Sequence, residues 1–517
     1  MTVSTTEEAG VLRGTDFVPA EQLQARAARA ATGLSKLGVD ATGTVAILMR
    51  NDHAVFEASF AAARLGAAPV PINWHGSAEE VDYVLRDAGA TVLVGHTDLL
   101  RPLLAGLPAD LAVLGVPTPS DIAQRCGLAP QACALPDGVD EWGSWRDQFE
   151  PWSHAPPAEP HTMVYTSGTT GRPKGVRRLP ATIDPEAAAV FYAEVFKVLG
   201  LGPGARTVIT GPLYHSAPNL YGLSASRLGG FLVLQPRFDA EELLQLIERH
   251  RITALHLVPT MFVRLLQLPE AVRRRYDLSS LQHIAHAAAP CPPDIKRAII
   301  EWFGPIVWEY YGGTETSAVV ACDSEEWLAH PGTVGRPVAT ATVRIYDDAG
   351  LQPAAGIPGE IFMRAAGMPD FTYQGRPEAR AEVERDGLIS CGDIGYFDAD
   401  GYLHLCDRKR DMIISGGVNI YPAEIEACLL GLPGVRDCAV FGVPDAEFGE
   451  SVAAAIETEP GHAITADGVR DHVRSHLAGF KAPKVVEFHD QLPREDSGKV
   501  FKRRLREPHW AGSGRTI

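Results

Sequence analysis

Several features are missing from this 517-residue chain. No apolar run approaches the roughly 18–20 residues that cross a bilayer. The most alanine-rich stretch, Phe56 to Val70, is broken by Arg64. Met1 to Gly10 is polar and acidic, without the cationic start and apolar stretch of a secretion signal. No long basic run is present, and 64 acidic against 47 basic residues give a net charge of −17. That charge repels phosphate backbones and anionic lipid, so nucleic acid and membrane surfaces are poor partners. None of the eight cysteines forms a C-x-x-C pair or has a histidine at zinc spacing, so they read as buried, reduced thiols. Glycine (50) and proline (39) are too few for a disordered or collagen-like polymer. The expectation is a soluble, cytoplasmic protein of several cores that needs no metal or disulfide staple to fold.

What is present is an alternation of helix and strand patterns. Leu23, Ala27, Ala30, Leu34 and Leu37 recur at helical steps, with Gly38 as a stop. Val45 to Met49 is a strand-length apolar run, and a helical pattern from about His53 to Leu65 ends at Gly66. Ser77 with Glu80 three residues on forms a capping box, and Thr91 to Val94 is the next strand. The rhythm returns with helices over 239–250 and 292–303 and strands over 253–258 and 306–309. It predicts an α/β protein whose large N-terminal body has mostly parallel sheets covered by helices. Pro151 to Pro160 reads as a linker. After Asp407 the charged quartet Arg408-Lys409-Arg410-Asp411 opens a run long enough for one small α+β domain. The expected division is 1–407 and 408–517.

Five segments carry chemistry. Tyr165-Thr166-Ser167-Gly168-Thr169-Thr170-Gly171-Arg172-Pro173-Lys174-Gly175 follows an apolar strand. Its glycines let backbone N–H groups approach an anion, its hydroxyls donate, and Arg172 and Lys174 add charge, which suits a polyphosphate. It is not a P-loop, because Lys174 neither adjoins a glycine on its N-terminal side nor precedes Ser or Thr. The others are Tyr311-Gly312-Gly313-Thr314-Glu315-Thr316, Cys391-Gly392-Asp393, Asp407 to Gly417, and Pro493-Arg494-Glu-Asp-Ser-Gly498-Lys499-Val500. Taken singly by composition, these would be surface turns and solvated charge runs.

In this order they resemble the signatures of the adenylate-forming superfamily: acyl-CoA synthetases, firefly-type luciferases and peptide-synthetase adenylation domains. The resemblance implies an enzyme that activates a carboxylic acid with ATP as an acyl-adenylate, using Mg²⁺. It implies that Thr166 to Gly171 and Lys174 cradle phosphate, Tyr311 stacks on adenine, Thr314 contacts phosphate and Glu315 holds the metal. Asp393 and Arg408 then hold the ribose, Arg410 is the hinge of a mobile C-terminal domain, and Lys499 bridges carboxylate and nucleotide. The acceptor it implies is coenzyme A, with Gly416 and Gly417 beside the pantetheine tunnel and His215 gating the acyl pocket. No Asp or Glu stands between Gly211 and Phe238 to pair a substrate ammonium, unlike a peptide-synthetase domain. A luciferase-like oxygenase shares all five motifs, whereas a non-catalytic nucleotide binder would be expected to lose Lys499 or Glu315.

Ligases for acetate resembling this chain place Trp where Gly312 stands. With Ala287, Ala288 and Ala289 also small, the expected acid is a medium or long fatty, aryl-propenoic or bulky ring acid. Two departures stand out. The N-terminus looks short, which leaves early sheet order and a possible homodimer contact open. Arg177-Arg178-Leu179 also stands where many relatives carry a Thr-His pair.

Overall fold

The computed structural model describes residues 8–154, 161–166, 172–180, 183–416, 418–445, 447–459, 461–494 and 500–511. Among them the fold is α/β, and its largest sheet has nine strands. Parallel strands His283–His286, Ala254–Leu257, Arg206–Ile209 and Phe231–Leu234 form its centre, with Val307–Gly313 beside His283–His286. A second sheet is wholly parallel, in the order Ala68–Pro71, Thr44–Leu48, Val92–His96, Ala112–Val116, Asp140–Glu141. These central strands are buried on both faces, as the apolar runs predict.

Local signals survive into the structure with shifts of a residue or two. Ser77 and Glu80 make both hydrogen bonds of the capping box, and Gly89 ends that helix in the left-handed region. Asp52 caps helix His53–Leu65, and Asp239 caps helix Ala240–His250.

The N-terminal segment completes the body. Strand Gly10–Arg13 pairs in parallel with Phe231–Leu234, and Asp16–Pro19 closes that edge antiparallel. Arg13 then reaches Asp52 at 2.6 Å, and Asp52 lies 3.3 Å from His96. These partners outweigh burial and hold the Asp52 carboxyl far below the usual range.

One sheet escaped the helix–strand rhythm, whereas the small α+β domain expected after Asp407 is present. Residues 341–408 build an antiparallel sheet of Ala341–Tyr346, Gly359–Ala365, Leu388–Phe397, Glu384–Arg385 and Leu403–Arg408. Beyond it, a separate mixed sheet (Val418–Ile420, Ile413–Ser415, Gly449–Thr458, Val435–Asp445, Val485–His489) has its own core around Ile413, Ile425, Val440 and Val452. No described helix is long and apolar enough to cross a membrane. The cysteines are free thiols, as expected, but only Cys322 and Cys438 are buried and Cys126 is exposed. Cys428 also faces His472 and His476, with ligand atoms within 4.8 Å of one another. Sequence spacing hides that cluster because the cysteine and the histidines sit on different helices.

Candidate active site

Antiparallel strands Val164–Thr166 and Lys174–Arg178 bracket the hydroxyl- and glycine-rich loop. Ser167, Gly168, Thr169, Thr170 and Gly171 lie outside the described residues, as do Gly417 and Lys499. Both ends of the loop are held firmly. Tyr165 donates to Asp87 (2.8 Å), and Tyr83 donates to the carbonyl of Pro173 (3.0 Å). Lys174 is buried, its Nζ 5.1 Å from the centre of the Tyr373 ring. Thr166 lines the same cavity.

Strand Val307–Gly313 delivers the next group. The Tyr311 hydroxyl, pushed well up by burial, stays protonated and donates to Asp393 Oδ2 at 2.8 Å. Arg408 Nε lies 3.4 Å from Asp393 Oδ1. The backbone explains that meeting, because Asp393 and Arg408 are register partners on adjacent antiparallel strands. Tyr311, 82 residues before Asp393, and Arg408 thus converge on one carboxylate.

Glu315 sits in the turn after Gly313. Tyr373 donates to its Oε1 (2.9 Å), the Cys391 thiol lies 4.0 Å from Oε2, and Thr314 donates to the Ser216 hydroxyl (3.1 Å). Loss of solvent around the half-buried Cys391 thiol, then the Glu315 and Asp393 charges, push it well up, so it stays neutral beside the carboxylate. His215 is the residue before helix Ser216–Arg227 and lines the cavity next to Tyr214. Asn51, which no motif marks, pins that loop by accepting from the Leu213 amide (2.9 Å) and donating to the Gly211 carbonyl (3.0 Å).

The structure accounts for Arg178. Its guanidinium donates to the carbonyls of Thr314 (2.5 Å), Glu315 (2.8 Å) and Pro369 (3.2 Å), and so holds the turn that carries Glu315. Burial pulls its pKa down to about 10, which still leaves it charged near neutrality. Sequence alone could not find this role, since the contacts span 136 residues and more.

Tyr165, Thr166, Lys174, Arg178, His215 and the Tyr311, Glu315, Asp393 and Arg408 group line one cavity of about 2290 Å³. Its walls include Ala287, Ala288, Gly312 and the aromatic residues Phe191, Tyr192 and Phe196. Arg410 lines it, as do Arg494 and Val500 on either side of Lys499. Gly416 does not. It turns the hairpin after Ile413–Ser415 at φ +58 and donates its N–H to Phe448 (2.8 Å).

Gly312 needs a correction. A Cβ there would lie 1.7 Å from the Ser317 carbonyl oxygen, because the pairing of Val307–Gly313 with Ser317–Cys322 slips between Tyr311 and Gly312. The glycine therefore serves this close backbone approach, and the space beside it is not the volume of a missing side chain. Gly312→Ala should abolish soluble expression or lower the unfolding temperature by many degrees. A Gly312→Ala protein with wild-type thermal unfolding would refute the steric assignment.

Comparison with known proteins agrees with this geometry. Residues 17–369 match the AMP-binding enzyme family and residues 424–499 its C-terminal domain. The chain is 36% identical over 495 residues to a feruloyl-CoA synthase of an Amycolatopsis species, covering 95% of this chain and 94% of that one. It is 33% identical to the indoleacetate–CoA ligase of Aromatoleum aromaticum, covering 94% and 92%. Among solved structures, the amide bond synthetase McbA from Marinactinospora thermotolerans superposes with a TM-score of 0.81 at 26% identity, covering 97% and 96%. The chain belongs to the AMP-binding enzyme family.

Proposed function

We propose that this protein is an ATP-dependent carboxylic acid–CoA ligase that works through an acyl-adenylate. The observation that carries the reading is the convergence of Tyr311, Asp393 and Arg408 with the Thr314–Glu315 turn on a cavity that continues between small and aromatic side chains. A nucleoside and its phosphates suit the first part, and an uncharged acyl body suits the second.

A carboxylate is activated by attack on the α-phosphorus of ATP, which expels pyrophosphate. A thiol then displaces AMP. Such phosphorus chemistry needs positioning and charge neutralisation more than covalent help. Asp393 and Arg408 would hold the ribose, Tyr311 the adenine, and Ser167, Thr169, Thr170, Lys174 and Thr314 the phosphates. The hard oxygens of Glu315 fit a Mg²⁺ that neutralises phosphate charge. Lys499 would meet the charge forming between carboxylate and phosphate. His215 would gate the acyl pocket from the thiol tunnel, to which Gly416 and Gly417 would belong. The acid would be a long fatty, aryl-propenoic or bulky ring acid, in keeping with the ligases this chain resembles.

The test is AMP release from ATP with purified protein and a panel of fatty, cinnamic, benzoic and steroid acids, with and without CoA. AMP release that requires both acid and CoA supports the reading. The likeness to an amide bond synthetase makes an amine acceptor the second reading. Acid-dependent AMP release stimulated by amines but not by CoA would favour it. Cytoplasmic location and a homodimer complete the proposal, the latter read by light scattering.

The hinge is proposed at Arg410, between 1–407 and 408–517. Asp407 ties the two sides, since it is the next-to-last residue of strand Leu403–Arg408 yet accepts from the Ala423 amide of helix Pro422–Leu430 (2.8 Å). Residues beside Lys499 face the cavity while Gly416 does not, so the two half-reactions call for a rotation between them. Arg410→Pro, which fixes φ, is expected to spare adenylation and slow thioester formation about tenfold or more. Single-turnover measurement of each step checks it, and an unchanged second step would remove the hinge from this position.

A further inference from the structure

Deep in the acyl part of the cavity stands a polar pair that no motif marks. His256 lies on strand Ala254–Leu257 and Tyr310 on strand Val307–Gly313, two strands away in the nine-stranded sheet. The strand between them puts Ala285 in register with His256, and Ala285 in register with Trp308. Alternation along a strand puts Tyr310 on that same face. Alanine is small enough for the two rings to meet over it, and His256 Nε2 lies 2.8 Å from the Tyr310 hydroxyl. Both side chains line the cavity.

The protonation pattern follows from the surroundings. Burial pulls His256 down to about 4, against a weaker opposing pull from its own backbone carbonyl, so the ring is neutral at ordinary pH. With the ring proton assigned to Nδ1, where it can meet that carbonyl, Nε2 is the acceptor and Tyr310 the donor. Once its proton is committed to His256, the Tyr310 oxygen offers only lone pairs. The nearby Tyr221, whose ring is 5.5 Å from His256, accepts from the Thr207 hydroxyl (3.0 Å). Tyr310 is therefore an uncharged acceptor in a mostly apolar wall. An alkyl tail leaves that acceptor unpaired, and a second carboxylate meets it lone pair to lone pair.

We propose that the His256–Tyr310 pair is a binding subsite for a phenolic hydroxyl, and that the acid this protein activates is a hydroxyaryl acid. The inference rests on the ligase reading for its acyl-adenylate chemistry, but not for the subsite. A phenol supplies a neutral donor on a rigid, flat apolar body, and a site built around such a donor rejects the analogue that lacks it.

The experiment compares matched acids: cinnamic acid, its 2-, 3- and 4-hydroxy derivatives, and 4-carboxycinnamic acid. With the full-length protein, kcat/KM for CoA-dependent AMP release should favour one hydroxy acid over cinnamic acid by about tenfold or more, with the dicarboxylic acid poorest. Tyr310→Phe should erase that ratio, and His256→Leu serves as a second variant should the first fold poorly. Equal loss on hydroxylated and plain acids, or no preference in the wild type, overturns the subsite. Calorimetric binding of the same acids without ATP or CoA separates the two claims. A Tyr310-dependent binding preference without AMP release would overturn the ligase reading alone, whereas binding without preference would overturn the subsite alone.

Discussion

Lys499→Ala is expected to lower acyl-adenylate formation by about a hundredfold or more while leaving thioester formation from supplied acyl-adenylate nearly intact. The scale is that of removing one preorganised charge from a site where negative charge builds. Lys499 itself lies outside the described residues, but Arg494 and Val500 on either side line the cavity that holds Tyr311, Asp393 and Glu315. In the proposed role, Lys499 would neutralise oxygen charge when the carboxylate meets the α-phosphate. It has no such work when a thiol expels AMP. Rapid-quench measurement of acyl-adenylate, and separately of thioester from synthetic acyl-adenylate, resolves the two steps. Equal loss in both would withdraw the role from Lys499.

The second large effect concerns stability. Lys296, wholly buried on helix Pro293–Phe303, places Nζ 2.5 Å from Glu309, with His286 3.6 Å from the same oxygen and the Trp327 ring 4.9 Å from Nζ. Burial together with the lysine charge keeps His286 neutral. Lys296→Met leaves the buried Glu309 carboxylate without its cation and is expected to cost about 3–5 kcal/mol. The double variant Lys296→Met/Glu309→Leu removes both charges and should recover most of that loss. Denaturant unfolding of the three proteins checks it. A single variant within about 1 kcal/mol of wild type would mean that water reaches the pair and the burial argument fails. Glu309 directly precedes Tyr310 and Tyr311, so the damage would extend to the strand that presents both to the cavity.

Much of this protein is legible before it folds. The capping box at Ser77 and Glu80, the glycine stops and the apolar strands depend on neighbours a few residues away. The strings from Tyr165 to Lys499 are legible for a related reason. Binding phosphate or ribose needs particular groups at short, fixed spacing, and that spacing is itself sequence.

What tertiary structure alone decided lies across the sheets. Arg178 looks like an unexplained charge until pairing of Lys174–Arg178 with Phe371–Tyr373 carries it to three carbonyls of distant loops. Gly312 looks like room for a large acid until the slip in its strand pairing puts the Ser317 carbonyl where a side chain would begin. His256 and Tyr310 meet only because strand order sets a small alanine between them. Chain-local sterics specify each helix and strand. Which side chains end up within 3 Å of one another is set by strand order and register, and these follow from burying all the apolar faces at once.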